Sequence, residues 1–155
     1  SELEVEKVEF DRLLGESDFI SIHTLLSEET RGMLGLEQFK KMKLTAYIIN
    51  AARGAIINQN DLYVALTQGL IEGAALDVVD PEPSTPSDNP LLTLDNVLVT
   101  AHCAGMGKVA FANLAHLVPE QVFRVARGEW PDSIINPEVK EKYSQRWGEM
   151  KGEVD

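Results

Sequence analysis

Cysteine is almost absent from this sequence: Cys103 is the only one among 155 residues. A single thiol excludes an internal disulfide and a cysteine-cluster metal site, and it fits a reducing, cytoplasmic environment. No apolar run approaches the ~20 residues that a membrane-spanning helix needs, and the acidic start is unlike a basic secretion signal. Basic residues are also few, 14 against 25 acidic ones, for a net charge of −11. This balance argues against nucleic acid or an anionic membrane as the main partner.

Several catalytic and nucleotide-binding motifs are missing as well. The chain has no G-x-G-x-x-G, no H-E-x-x-H and no G-x-S-x-G. Gly107-Lys108 hints at a phosphate-binding loop, but His102 stands where that motif needs its first glycine and Val109 where it needs Ser or Thr.

Four apolar, strand-like runs alternate with helix-like stretches along the chain. We predict strands over 19–23, 47–50, 74–79 and 97–100, and helices over 11–16, 27–43, 61–68 and 108–127. Asn60 is expected to cap the third helix, Gly69 to end it, and Pro119 to kink the fourth. Apolar strands that alternate with helices indicate an α/β fold with a mostly parallel sheet, covered by helices on both faces. The polar stretch after Pro137 receives no assignment.

In such sheets, ligands bind outside the carboxyl ends of the strands. Each predicted strand end is followed by polar or ionisable residues, namely His23, Asn50 with Arg53, Asp77 with Glu82, and His102. This pattern predicts a site along one edge of the sheet.

Arg53 and Glu82 could serve that site, although each also has a simpler interpretation. Arg53 follows small residues and precedes Gly54, so its guanidinium could hold a carboxylate in a bidentate grip, or it could be a surface arginine. Glu82 lies between two prolines that restrict the direction of its side chain. It could equally be a solvated acid, and Asp80 competes with it for the same role.

His102 follows an apolar strand, and an imidazole with its ordinary pKa near ~6.5 suits proton transfer at neutral pH. A lone histidine at a strand end is nevertheless more often structural. Together, however, Arg53, Glu82 and His102 could bind a carboxylate and exchange a proton with a neighbouring oxygen. These are the groups needed to interconvert a 2-hydroxy acid and a 2-keto acid, if a hydride acceptor is bound nearby.

Residues 18 to about 137 resemble the D-isomer-specific 2-hydroxyacid dehydrogenases, through four ordered motifs. The stretch D-F-I-S-I-H at 18–23 with S-E-E-T-R at 27–31 is similar to the family's SDFVSLHxPLTxET, and I-N-A-A-R-G at 49–54 is similar to INxxRG. The stretch G-A-A-L-D-V-V-D-P-E-P at 73–83 is similar to GAxLDVFxxEP, and D-N-V-L-V-T-A-H at 95–102 is similar to xxNVxxTPH. Leu25 and Ala101 replace prolines that are usual in the family, while Cys103 and Ala104 replace its usual isoleucine and glycine or alanine.

The resemblance implies a role for each matching residue. Arg53 would bind the substrate carboxylate, His102 would be the acid/base, and Glu82 rather than Asp80 would pair with it. The cofactor would be NAD or NADP. Its adenosine side would contact Thr24 and Leu25, and its nicotinamide carboxamide would contact Asp77 and the backbone of Ala51 and Ala52. Ala104 and Gly105 would lie near the nicotinamide, and Arg53 and His102 would also contact the cofactor.

The resemblance also implies a division of the chain. Residues 1–137 would be the carboxyl-terminal portion of a Rossmann-type NAD(P)-binding domain, and 138–155 a polar tail. The first strands and the glycine-rich turn would precede this sequence, so we expect an open edge at 19–23 and an inactive isolated chain. The parent would be a homo-oligomeric oxidoreductase acting on small 2-hydroxy or 2-keto acids. The alternative is a non-catalytic cofactor-sensing or protein-interaction module, against which the joint presence of arginine, glutamate and histidine argues.

Overall fold

The computed structural model describes residues 5–152, with side chains to residue 147. These residues form two compact units, one ending at Ala104 and the other beginning at Gly105. The first unit contains α1 (Phe10–Glu16), β1 (Phe19–Ile22), α2 (Leu36–Phe39), β2 (Tyr47–Asn50), α3 (Gln59–Thr67), β3 (Gly73–Leu76) and β4 (Val97–Val99), with 3-10 turns at Gly54–Ile56 and Pro90–Thr93. The second contains α4 (Lys108–Ala126), a 3-10 turn at Pro137–Val139 and α5 (Lys140–Gly152).

The four strands form one parallel sheet whose spatial order β1-β2-β3-β4 equals their order in the chain. The register aligns the last residues of the strands, so that Ile22 lies beside Asn50, Asn50 beside Leu76, and Leu76 beside Val99. The carboxyl ends therefore meet at one edge of the sheet, as the sequence predicted. Within the described residues β1 pairs with β2 alone and lies at one edge of the sheet, and the open edge expected at 19–23 stays a prediction.

Within the described part of the first unit, helices α1, α2 and α3 pack against one face of this sheet. Leu14, Phe39 and Leu62 from the three helices share a buried cluster with Ile20 and Ile48 of the strands. On the opposite face Phe19 stacks on Tyr47 with ring centroids 5.6 Å apart, yet Phe19 remains 68% exposed. Because strand order never reverses, right-handed crossovers place every connecting helix on the same side.

The helix predicted over 27–43 is also wrong, since only Leu36–Phe39 is helical. The Thr30 hydroxyl accepts from the Ser27 backbone N–H at 2.7 Å and donates to the Leu25 carbonyl at 2.7 Å. Gly32 then adopts φ 64°, and its N–H donates to the Ala55 carbonyl. Local hydroxyl contacts and a left-handed glycine thus replace helical hydrogen bonds in this stretch.

Helix α3 begins two residues earlier than predicted. Its cap is Asn58, whose Oδ1 accepts from the Asp61 N–H at 3.2 Å, whereas Asn60 lies within the first turn. Both residues are asparagines before an apolar stripe, and the pattern alone does not distinguish them. The predicted stop is confirmed, because Gly69 has φ 67° directly after the C-cap residue Gln68.

In the second unit α4 continues through Pro119, and the kink expected there stays a prediction. The stretch left unassigned after Pro137 forms α5. The ring centroid of its Tyr143 lies 5.3 Å from that of Trp130 and 6.1 Å from that of Trp147. The predicted division after residue 137 stays a prediction. In the described part of the chain no helix combines the length and apolarity needed to cross a bilayer.

Candidate active site

A buried asparagine shapes the turn that presents Arg53. Asn50, the last residue of β2, is 1% exposed; its Nδ2 donates to the Arg53 carbonyl at 2.9 Å, and its Oδ1 accepts from the Ala52 N–H at 3.0 Å. These two bonds close the turn from inside, so that the Arg53 side chain lies exposed at the edge of the sheet. Its Nη1 donates to the Ala52 carbonyl at 2.7 Å.

Gly54 brings this turn against the chain that leaves β3. A Cβ at residue 54 would lie 2.1 Å from the carbonyl oxygen of Val79 and 2.9 Å from the Asp80 nitrogen. Only a residue without a side chain permits so close an approach. The turn that carries Arg53 and the segment that leads to Glu82 are therefore packed backbone to backbone.

The carboxylate of Asp77 organises the loop that follows β4. Its Oδ1 accepts from the Thr100 hydroxyl at 2.5 Å and from the Cys103 N–H at 2.8 Å, and its Oδ2 accepts from the Ala104 N–H at 2.8 Å. These bonds, that of Thr100 foremost, lower the pKa of Asp77 to about 2 against an opposing effect of burial. A carboxylate oxygen has more than one acceptor site, so Oδ2 can accept from a second donor, such as a carboxamide N–H.

His102 lies inside the loop that Asp77 holds. Its N–H donates to the Asp77 carbonyl at 3.0 Å, and its backbone adopts φ 53°, a left-handed conformation that is uncommon for a residue with a side chain. Its Nδ1 lies 3.0 Å from Oε2 of Glu82, and both side chains are partly open to solvent, at 51% and 38% exposure. With Nδ1 occupied by a carboxylate, Nε2 is the ring nitrogen that can exchange a proton with a ligand.

Most of the predicted site residues line one or the other of two neighbouring cavities. Glu82 and His102 line a cavity of about 600 Å³ together with apolar side chains, among them Val79, Leu92 and Val99. A cavity of about 440 Å³ is lined by other predicted residues, namely Thr24, Leu25, Ala51, Ala52 and Arg53. The structure therefore brings Glu82 and His102 together and the strand-end residues together, but Arg53 and His102 do not share a cavity in the described part of the chain.

Four other candidate residues, Ala104, Gly105, Asp80 and His23, differ in whether they contact Asp77 or His102. Ala104 contributes its N–H to Asp77, whereas Gly105 begins the second unit and stays a predicted cofactor contact. Asp80, the competing acid, has no hydrogen bond to His102 within the described residues, and it is the Glu82 carboxylate that makes this contact. His23 interacts with the hydroxyl of Ser21 at 2.8 Å.

Thr100, which donates to Asp77, was not named in the sequence analysis, and Asn50, which shapes the Arg53 turn, was named at a strand end but given no role. A signal for Thr100 was present in the sequence. Because the end of β3 is aligned with the end of β4, Asp77 and Thr100 are the next residues of adjacent strands and fall side by side. Asn50 appeared as a polar residue at a strand end, but its inward direction depends on the turn that follows.

Comparison with known proteins agrees with this geometry. Residues 1–104 match the family described as D-isomer specific 2-hydroxyacid dehydrogenase, NAD binding domain. The chain is 45% identical over 138 residues to a glyoxylate reductase from Korarchaeum cryptofilum (strain OPF8), covering 89% of this chain and 41% of that protein. It is 44% identical over 124 residues to a D-3-phosphoglycerate dehydrogenase from Archaeoglobus fulgidus, covering 80% of this chain and 23% of that protein.

Solved structures show the same relationship. The crystal structure of D-lactate dehydrogenase with NAD+ from Lactobacillus jensenii superposes with a TM-score of 0.75 at 34% identity, covering 83% of this chain and 42% of that one. The chain thus spans less than half the length of these proteins. The resemblance and the Rossmann-type fold inferred from the sequence are confirmed, and the chain belongs to the D-isomer specific 2-hydroxyacid dehydrogenase family.

Proposed function

We propose that this chain supplies the acid/base pair and part of the nicotinamide-cofactor site of an NAD-dependent oxidoreductase that interconverts 2-hydroxy and 2-keto acids. The observation that carries this proposal is the contact of 3.0 Å between Glu82 and His102 at the carboxyl edge of the parallel sheet. The family assignment and the names of the relatives, a glyoxylate reductase and a D-3-phosphoglycerate dehydrogenase among them, support this reaction class.

His102 would exchange a proton with the substrate oxygen through Nε2. In the oxidising direction it takes the hydroxyl proton, and in the reducing direction it returns a proton to the carbonyl oxygen. Glu82 holds the ring by Nδ1 and stabilises the imidazolium that forms when Nε2 is protonated. The backbone at residue 102 is left-handed, and Asp77 accepts from the N–H groups of both His102 and Cys103, which fixes the backbone from which the ring extends.

Arg53 would bind the substrate carboxylate. Its guanidinium uses Nη1 for the Ala52 carbonyl, and the rest of its donors make no hydrogen bond within the described residues. A planar guanidinium of this kind binds a carboxylate in two parallel hydrogen bonds. Since Arg53 and His102 line neighbouring cavities, the substrate would lie between them, with its carboxylate toward Arg53 and its 2-oxygen toward His102.

The residues present fit a nicotinamide dinucleotide. The strand-end cavity beside Arg53 combines the small side chains of Ala51 and Ala52 with the hydroxyl of Thr24 and the exposed Leu25, which suits an extended, mixed polar and apolar ligand. Asp77 can accept from a carboxamide at Oδ2, and Ala104, whose N–H donates to the same oxygen, would lie near the nicotinamide together with Gly105. The cofactor, when bound, would supply the hydride acceptor or donor. We extend the proposal to a cytoplasmic, homo-oligomeric protein.

The test is turnover of glyoxylate or hydroxypyruvate with NADH by the protein that carries this sequence. His102→Ala should lower kcat by roughly 10²- to 10⁴-fold while leaving NADH binding, followed by nicotinamide fluorescence, in place. His116→Ala is the matched control, because His116 is an exposed histidine on α4, and it should leave both quantities unchanged. Turnover that survives His102→Ala would show that the acid/base is a different residue.

A further inference from the structure

A single side chain on α3 joins the two ends of the loop that carries Glu82. Gln59 is half-buried in the first turn of the helix, and its Nε2 donates to the Asp80 carbonyl at 2.5 Å. Its Oε1 accepts from Nδ2 of Asn89 at 2.8 Å. We infer that Gln59 is a positioning residue that holds Glu82 against His102, an inference that rests on the acid/base function proposed above.

Backbone groups at both ends determine how these two amides are oriented. The Leu91 N–H can only donate, so it is Oδ1 of Asn89 that accepts from it, at 3.1 Å. Nδ2 of Asn89 must then face Oε1 of Gln59, and Nε2 of Gln59 must face the Asp80 carbonyl, which can only accept. Asn89 is 4% exposed, so an unpaired amide there would be costly. Residue 59 therefore requires a side chain with one donor and one acceptor that is long enough to contact both the Asp80 carbonyl and Nδ2 of Asn89.

The rest of the loop is hydrogen-bonded to itself. The Thr85 N–H donates to Oδ1 of Asp88, and the Asn89 N–H donates to the Thr85 carbonyl. Apart from the bonds that the Leu91 and Leu92 N–H groups donate to Asn89 at the end of segment 80–89, the hydrogen bonds that join this segment to the other described residues of the first unit are those of Gln59 and the contact between Glu82 and His102. Glu82 is two residues from Asp80, so release of Asp80 would free the backbone that aims the Glu82 carboxylate.

This placement can be measured through the proton on His102. An ionised carboxylate only accepts, so a neutral His102 that pairs with Glu82 carries its proton on Nδ1, whereas an unpaired imidazole favours the proton on Nε2. Long-range 1H–15N NMR spectra of the full chain, labelled with 15N-histidine and recorded at a pH where the ring is neutral, report the ratio of the two tautomers. Glu82→Ala gives the reference ratio for complete loss of the contact.

Gln59→Leu removes both side-chain hydrogen bonds and should shift the tautomer ratio roughly threefold or more toward that of Glu82→Ala. Gln59→Glu should act alike, because a carboxylate retains the acceptor for Asn89 but has no donor for the Asp80 carbonyl. Gln68→Leu is the matched control: it makes the same replacement at the exposed end of the same helix, where the side chain has no hydrogen bond in the described part of the chain, and it should leave the ratio unchanged.

The inference is overturned if Gln59→Leu or Gln59→Glu keeps the wild-type ratio while circular dichroism shows an intact fold. The NMR sample contains neither substrate nor cofactor. A failure of the proposed dehydrogenase function would therefore appear in the turnover assay and not in the tautomer ratio, which separates the two outcomes.

Discussion

Gly54 and Val79 are in backbone contact, so that a Cβ built on Gly54 would lie 2.1 Å from the Val79 carbonyl oxygen and 2.2 Å from its carbon. The contact joins the turn after β2 to the segment after β3. It therefore sets the spacing between Arg53, one residue before Gly54, and Glu82, three residues after Val79.

Gly54→Ala should destabilise the protein by about 1–3 kcal/mol, because the added methyl group meets backbone atoms that can yield only if the segment moves. Urea unfolding measures the change. Gly15→Ala is the matched control: the added Cβ would meet the Lys41 carbonyl at an ordinary 3.7 Å, and alanine favours the helix, so stability should hold or rise. Equal stability of the two variants would contradict the close approach.

Asn50→Asp should cost about 1–3 kcal/mol of unfolding free energy. The carboxylate still accepts from the Ala52 N–H, but it has no donor for the Arg53 carbonyl and places a charge at a position that is 1% exposed. Asn60→Asp, at an exposed position in α3, should change stability by much less. Denaturant titration at neutral pH compares the two, and a small effect at Asn50 would indicate that its hydrogen bonds do not maintain the turn.

The low pKa of Asp77 predicts a loss of stability in acid. Its hydrogen bonds from Thr100, Ala104 and Cys103 favour the ionised form, which lowers the pKa from its ordinary 3.8 to about 2 in the folded state. A depressed folded pKa means that this contribution is fully present above about pH 4 and is lost as the pH falls toward 2. Asp77→Asn removes the titrating group, so the variant should lack this part of the acid destabilisation. Urea midpoints measured between pH 5 and pH 2 should converge for the two proteins; parallel profiles would contradict the assignment.

The left-handed backbone of His102 predicts a difference between two substitutions that both remove the imidazole. Glycine adopts φ 53° without the steric cost that a Cβ incurs, so His102→Gly should be more stable than His102→Ala by on the order of 0.5–1 kcal/mol. Thermal unfolding of the two variants measures this difference. At an ordinary backbone position the order would be reversed, so a more stable alanine variant would argue against the left-handed conformation.

Much of the site could be predicted because it depends on strand ends. Once the apolar runs are recognised as parallel strands, the residues after them must gather at one edge, and Asp77, Glu82 and His102 do so. The structure of residues 27–43 could not be predicted correctly from their helix-like pattern. The hydroxyl of Thr30 bonds to the Leu25 carbonyl and the N–H of Gly32 bonds to the Ala55 carbonyl, and these contacts prevent a long helix. The position of Phe19 and Tyr47 on the face opposite α1, α2 and α3 likewise follows from strand order and not from the composition of any strand.

The amino-acid sequence by itself determined the alternation of strands and helices, the parallel sheet and the identity of the groups that can carry acid/base chemistry, because periodicity and residue type act locally. Only the tertiary structure decided which groups meet. The contact between Glu82 and His102, the closure of the loop by Asp77 and the link from Gln59 to both ends of segment 80–89 join residues 20 to 30 positions apart. Such contacts form only after the chain has packed, since their distances depend on how the strands and loops are placed by the core.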